Sequence, residues 1–359
     1  MGVSGMKTDW KKRRKAEIDR LLADASIPWE SLDGARILIT GATGVIGFNL
    51  VESLLAYSIT RDNPPHVIVH SRNAGAAKRR FASVPGHEFC SYYEGDIRNT
   101  LNLDSSIDYI VHAASITDSG SFISKPVDVI ETSLCGTRNI LEFAKDKRAK
   151  GVVFLSTMEI YGLNQSGDKL EEDNYGSFDA LSVRNCYPES KRMSENLCCA
   201  YFSQHGVPVT IARLAQSFGP GVRRGDQRVF SYFTECVLSN SDIVLRTKGN
   251  SKRTYVYTLD AVSAILILML RGARGEAYNV ANEETYCSVL EMAEMVSKVI
   301  AQGAITVQMK LEDCPQYLPP HYLNLSSGKL RSLGWMPKYS LEDMYIELLY
   351  YFEHIRNNS

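Results

Sequence analysis

The sequence predicts an α/β fold: a doubly wound parallel sheet with a smaller C-terminal substrate-binding domain against it. Three observations carry this expectation. The stretch Ala35–Gly47, ARILITGATGVIG, reads as a short buried strand, a glycine turn and the start of a helix. Apolar strand-like runs and helical patterns then alternate up to Arg213, as parallel strands joined by crossover helices do. Beyond Arg213 the elements become short and irregular, as in a cap over the carboxyl edge of the sheet.

Ahead of the first strand, Lys7–Ala25 has the spacing of an amphipathic helix. Ile18, Leu21, Leu22 and Ala25 form its inner face, and the basic run Lys11–Lys15 a solvated one. Arg36–Thr40 is the first strand. Gly41 lets the chain turn off it, Gly44 has no side chain to hold a phosphate away, and Gly47 lets the next helix sit close. That helix begins at Val45 and Ile46, and its free N–H groups, with Thr43 in the turn, suit a pyrophosphate. The unit therefore predicts dinucleotide binding. His66–His70 is the second strand, followed by Ser71 and Arg72. An acidic residue here would hold the adenosine ribose and repel a 2′-phosphate. None is present, and Ser71 and Arg72, with Lys78, Arg79 and Arg80 beyond, favour NADP over NAD.

A third strand ends within Tyr92–Asp96, which places Asp96 and Ile97 near the adenine. Tyr109–His112 is the fourth, and the small residues Ala113, Ala114 and Ser115 at its end let a nicotinamide ribose approach. A helix over Val127–Lys145 leads to the fifth strand, Val152–Leu155, with Ser156, Thr157, Met158 and Glu159 at its carboxyl edge. Tyr187-Pro-Glu-Ser-Lys191 opens a helix that Gly206 closes, and Val207–Ile211 is the sixth strand. Gly219–Asp226 is a charged glycine-rich loop. Val229–Leu238 and Ser288–Ala301 read as helices, Tyr278–Ala281 as a late strand, and Leu341–Ile355 as the last helix.

Composition narrows the function. Of 359 residues, 44% are apolar and 23% charged, the balance of a globular chain with ample core. A net charge of −1 gives no support to a nucleic-acid partner. No apolar run spans a membrane; Ala264–Leu270, AILILML, reads as a buried helix. The N-terminal residues are polar and basic, and the eight scattered cysteines form no CxxC, so a cytoplasmic protein with reduced thiols is expected. The histidines show no HExxH spacing, and no metal site is expected.

Tyr187 and Lys191 stand four apart on one helix and share a face. A tyrosine with a pKa of about 10 is a poor base near neutrality. A neighbouring ammonium lowers that value, so Tyr187 is expected to take a hydroxyl proton while hydride leaves the same carbon. Lys191 also suits the nicotinamide ribose, and Thr157 the reacting oxygen.

TGATGVIG, GDI (Gly95–Ile97), HAAS (His112–Ser115), STMEIYG (Ser156–Gly162), YPESK, RLAQSFGPG (Arg213–Gly221), KRTYVYTLDAV (Lys252–Val262) and LGWMPKYSLED (Leu333–Asp343) together carry a resemblance. From about Gly34 to Leu348 the chain resembles the extended short-chain dehydrogenases/reductases of the nucleotide-sugar epimerase/dehydratase family. The resemblance implies a Rossmann domain over 31–216 and 252–283. It implies a nucleotide-sugar-binding domain over 217–251 and 284–359, behind an N-terminal helical arm, 1–30. It implies a nucleoside diphosphate sugar as substrate, with Arg253 on the diphosphate, Arg228 near the nucleotide and Gln216 at a sugar or phosphate contact. It also implies a homodimer, and oxidation at sugar C4 by bound NAD or NADP. A 4-ketone acidifies C5, where Glu159 is placed to act. Family dehydratases carry an Asp before this Glu to protonate the leaving C6 hydroxyl. Met158 stands there instead and transfers no proton, which harms decarboxylation less than dehydration. Ser133 and Gln216 replace asparagines of the family pattern. The expected enzyme is a 4,6-dehydratase-like or decarboxylase-like lyase. Its rivals are a 4-epimerase or ketoreductase, and a catalytically silent NADP-sensing protein, against which the intact Tyr187 and Lys191 argue.

Overall fold

The computed structural model describes residues 10–312 and 319–357. Seven strands form one sheet: β1 (Arg36–Thr40), β2 (His66–Ser71), β3 (Cys90–Glu94), β4 (Tyr109–His112), β5 (Gly151–Thr157), β6 (Val209–Leu214) and β7 (Ala277–Val280). Their order is β7-β6-β5-β4-β1-β2-β3, and every neighbouring pair is parallel. Helices cover both faces, so the strands carry unbroken apolar runs; Ile37, Leu38 and Ile39 are fully buried. The order reverses at β1, and at such a point the flanking connections leave on opposite faces and open a crevice. Thr40 pairs with both His70 and His112, so the glycine turn, Ser71 and Ala113 emerge side by side at the carboxyl edge.

A second sheet supports the C-terminal cap. In it Lys252–Tyr257 lies between Asn282–Ser288 and Tyr322–Leu325, and Lys169–Leu170 and Gln216–Phe218 pair at its margins. The helix Thr258–Arg271 contains the foreseen AILILML run and is buried from Thr258 to Met269. One apolar cluster joins this helix to the large sheet and to Phe218, Phe230 and Tyr345 of the cap.

The N-terminal helix runs over Trp10–Leu22; the part expected over Lys7–Asp9 lies outside the described residues. Its inner face differs from the expected one. Arg14, Glu17, Ile18 and Leu21 are buried, whereas Ala25 is exposed. Arg14 leaves the solvated basic run because Glu52 takes its guanidinium at 2.6 and 2.9 Å. Other boundaries moved for local reasons. β5 continues through Ser156 and Thr157, whose partners Arg213 and Leu214 extend the ladder. β6 starts at Val209 because Pro208 has no N–H to give. β3 ends at Glu94, so Asp96 lies beyond it. Asn282–Ser288 is a strand that the sequence, mostly polar, does not announce. Ser288 caps the next helix, Val289–Met295, in a reciprocal box with Glu291. Among the described residues no helix is long and apolar enough to cross a membrane, and no cysteine is disulfide-bonded.

Candidate active site

The glycine turn is built as its spacing suggests. Gly41 has φ +65°, and a Cβ there would lie 2.5 Å from the Ala113 carbonyl carbon. Gly44 is exposed at the N-cap of the helix Val45–Ser58, and its N–H donates to Gly41 O at 2.9 Å. Gly47 lets the helix press on the turn itself, since a Cβ would come 2.4 Å from Gly41 O and 2.6 Å from the Ala42 Cα. Thr40 ties the turn to β4: its hydroxyl lies 2.8 Å from His112 Nδ1 and accepts the Ala114 N–H at 3.1 Å. Burial, with the Lys191 charge nearby, holds the His112 imidazole down at about 3, so it is neutral. The Ser115 hydroxyl is buried with no partner among the described residues. An open helix N-terminus beside an orphaned hydroxyl fits a dinucleotide.

Around the adenosine end the expected residues are placed less uniformly. Arg72 is exposed, with no hydrogen bond to a described residue, while the Ser71 hydroxyl is engaged with Asn73 at 3.2 Å. Lys78 and Arg79 are exposed, but Arg80 turns inward, over the Phe48 ring and onto the Gly221 carbonyl at 3.2 Å. Asp96 is held by Arg98 at 2.7 Å, and Ile97 is core, packed where a Gly136 side chain would otherwise be. Glu94, which the sequence reading passed over, accepts the Ala74 N–H at 2.8 Å and brings a carboxylate beside Ser71.

Tyr187 sits in the first turn of the helix Cys186–His205, almost buried, with its ring stacked 4.6 Å from Phe122. Burial and the Glu159 carboxylate push its phenol up, against a hydrogen bond with Thr157 and the Arg228 charge. Lys191 does not lower it as expected. The ammonium points inward to Leu155 O at 2.8 Å and lies over the Phe154 ring, so its charge is not a leading influence on the phenol. Burial instead pushes Lys191 down to about 8. The two side chains share a helix face but diverge: the phenol reaches the tip of β5, and the ammonium reaches the carbonyl two residues back. The phenol is therefore hydrogen-bonded by Thr157 and acted on by the charges of Glu159 and Arg228.

Thr157 accepts the Glu159 N–H at 3.2 Å and so caps the short turn Met158–Tyr161, leaving its own proton to give. Met158 is buried. Glu159 reaches the cleft, where Arg184 lies 3.7 Å from it. Arg228 leaves the Gly219–Asp226 loop paired with Asp226 at 2.5 Å. Arg253 comes from the second sheet; its Nη2 is 3.5 Å from His321 Nε2, and its Nε is buried without a partner among the described residues. Arg184 acts on the same imidazole. Gln216, half-buried opposite Tyr255, has no hydrogen bond to any of these side chains among the described residues.

Comparison with known proteins matches residues 37–281 to the profile of the NAD dependent epimerase/dehydratase family. The chain belongs to that family. UDP-glucuronic acid decarboxylase 1 of Xenopus tropicalis is 30% identical over 331 residues, covering 91% of this chain and 75% of that protein. The fold also matches UDP-glucose 4-epimerase of Thermotoga maritima, with a TM-score of 0.75 at 23% identity over 89% of this chain and 99% of that one. It matches an NAD-bound dTDP-glucose 4,6-dehydratase of Streptomyces venezuelae, with a TM-score of 0.73 at 23% identity over 90% and 98%.

In this epimerase/dehydratase family member, the residues that sequence reasoning missed are Glu94, Phe122, Arg184 and His321. Arg184 was within reach, three residues ahead of Tyr187 on the turn Val183–Asn185. His321 carried no local signal, because strand pairing alone brings it beside Arg253. A cavity of about 770 Å³ between Arg192, Glu195, Arg213, Glu276 and Lys329 includes none of the expected site residues.

Proposed function

We propose that the chain is a nucleotide-sugar lyase that works through transient oxidation at C4, and that it is decarboxylase-like, with UDP-glucuronic acid as substrate. The observation that carries the reading is the group at the end of β5: Thr157 and Glu159 beside the Tyr187 phenol, Arg184 against Glu159, and the buried thioether of Met158 where a C6 acid would be needed. Bound NAD(P), cradled by Gly41–Gly47 and Ser115, supplies the hydride acceptor. Tyr187, which burial and Glu159 keep protonated near neutrality, takes the C4 hydroxyl proton only after ionising, and Thr157 orients that oxygen. The resulting 4-ketone makes a uronic acid a β-keto acid. Its C6 carboxylate leaves as carbon dioxide, the bonding electrons pass into the C4–C5 enolate, and no acid at C6 is required. Glu159 serves C5, where the enolate takes up one proton. When C4 regains its hydride, the Tyr187 phenol gives its proton back to the C4 oxygen. Arg184 offers a planar fork to the substrate carboxylate, and Arg253 one to the diphosphate.

The relatives support the choice of decarboxylation, since those of 30% identity over most of the chain are named for it. The test is incubation with a panel of nucleoside diphosphate sugars read by mass spectrometry. The reading expects UDP-glucuronic acid to lose the mass of carbon dioxide. Loss of water from a glucose donor would make the chain a dehydratase, and inversion without mass change an epimerase. For the cofactor, Arg72 favours a 2′-phosphate and Glu94 opposes it. NADP is expected to bind at least as tightly as NAD; a large preference for NAD would give Glu94 the decision. Val127, Ile130, Met193 and Phe202 are exposed on the paired helices Pro126–Lys147 and Cys186–His205, which supports a homodimer. Sedimentation tests that point.

A further inference from the structure

His321 stands just ahead of the strand Tyr322–Leu325, which runs parallel to Lys252–Tyr257 with Tyr322 opposite Lys252. Its carbonyl accepts the Lys252 N–H at 3.1 Å, and this pairing fixes the imidazole beside Arg253. His321 Nδ1 lies 3.1 Å from Pro319 O. A carbonyl only accepts, so Nδ1 carries the proton and Nε2 presents a lone pair. That lone pair faces the Arg253 guanidinium at 3.5 Å. Arg184, on the turn before Tyr187, adds a second positive charge, with Glu159 behind it at 3.7 Å. Lys252 contributes only its backbone here, because its ammonium is turned to Glu291 at 3.1 Å. Burial and the two guanidiniums hold the imidazole below its ordinary value, hence neutral in the free protein. Among the described residues the buried Nε of Arg253 meanwhile has no partner. Two guanidiniums converge on this imidazole; Glu159 offsets Arg184, and among the described residues Arg253 has no carboxylate in ion-pair range.

We propose that His321 is a substrate-binding residue which, with Arg253, takes the diphosphate of the nucleotide sugar and gains a proton at Nε2 as that diphosphate arrives. The inference rests on the nucleotide-sugar reading. Once the phosphate oxygens lie between the two side chains, the repulsion becomes screened attraction, and Nε2–H donates a charge-assisted bond. Affinity therefore falls as pH rises, because each binding event draws a proton from solvent.

The experiment is titration calorimetry of the Tyr187→Phe protein, whose turnover is expected to be slowed about 10²- to 10⁴-fold, with UDP-glucuronic acid. Runs in PIPES and in Tris give the proton count from the different buffer heats. Neither the diphosphate diester nor the sugar carboxylate of this ligand titrates near neutrality, so uptake reports the protein. The expected result is net uptake of a large part of one proton. In Tyr187→Phe/His321→Gln, uptake disappears, binding weakens about tenfold, and affinity becomes flat between about pH 6 and 8. Unchanged NAD binding and urea midpoint show that the second variant is folded. Uptake that persists in that variant, or a Kd within twofold of its parent, overturns the role of His321 while the nucleotide-sugar reading stands. Failure of UDP-glucuronic acid to bind either protein, with NAD still bound, overturns the nucleotide-sugar reading and this inference with it.

Discussion

Replacing Lys191 by Met tests the cost of its buried charge in a way that the structure makes quantitative. The ammonium is buried among Phe154, Cys198 and the Leu155 carbonyl and has a value of about 8 in place of 10.5. At neutral pH, where the unfolded chain and the folded protein both hold the proton, that depression costs the fold about 3 kcal/mol. Met keeps the apolar stem and removes the charge, and it also removes the 2.8 Å bond to Leu155 O. A hydrogen bond from a charged donor is worth about 2 kcal/mol. The variant should therefore be more stable than the parent by about 1 kcal/mol at pH 7. The advantage is full below pH 8 and fades as pH rises from about 8 toward 10.5, because the parent sheds its buried charge across that window. Urea midpoints for both proteins at pH 7 and near pH 10 measure this. A variant less stable than the parent at pH 7, or a gap that does not narrow with rising pH, would refute the reasoning.

Other consequences follow from the same geometry. Tyr187→Phe should cost about 10²- to 10⁴-fold in kcat and leave the cofactor Kd unchanged, as equilibrium binding against steady-state rates will show. Glu159→Gln removes an anion that raises the phenol, and Arg228→Met removes a cation that lowers it. The alkaline shift of the rate profile should therefore move to lower pH in the first and to higher pH in the second, and matching shifts of one sign would contradict the placement. Gly47→Ala puts a methyl 2.4 Å from Gly41 O and should cost about 1–3 kcal/mol in thermal denaturation. Gly44→Ala meets only Gly41 O at 3.2 Å, at φ −76°, and should spare stability while weakening the cofactor.

Local patterns made most of the scaffold legible. The glycine spacing, the β1 register and the helix carrying Tyr187 needed only near neighbours in sequence, and they stand where periodicity puts them. Arg14 shows the limit: its burial depends on Glu52 and Asn49, more than thirty residues away, and a helical-wheel reading leaves it in water. The polar strand Asn282–Ser288 is fixed by pairing with Lys252–Tyr257 rather than by its composition. In the candidate site, spacing placed Tyr187 and Lys191 on one face but did not say where their polar ends go. A carbonyl two residues back from Thr157 holds the ammonium, so the phenol is governed by Thr157, Glu159 and Arg228 instead. Ile97 and Arg80 illustrate the same point: each lies in the expected segment, but each spends its side chain on packing.

In the proposed reaction hydride leaves C4 before carbon dioxide leaves C6. Rapid mixing of the NAD(P)-loaded enzyme with UDP-glucuronic acid, bearing hydrogen or deuterium at C4, measures this in a single turnover. The expected record is a transient of reduced-nicotinamide absorbance that precedes carbon dioxide release and slows with deuterium. Carbon dioxide released with no reduced nicotinamide and no isotope effect at C4 would contradict it.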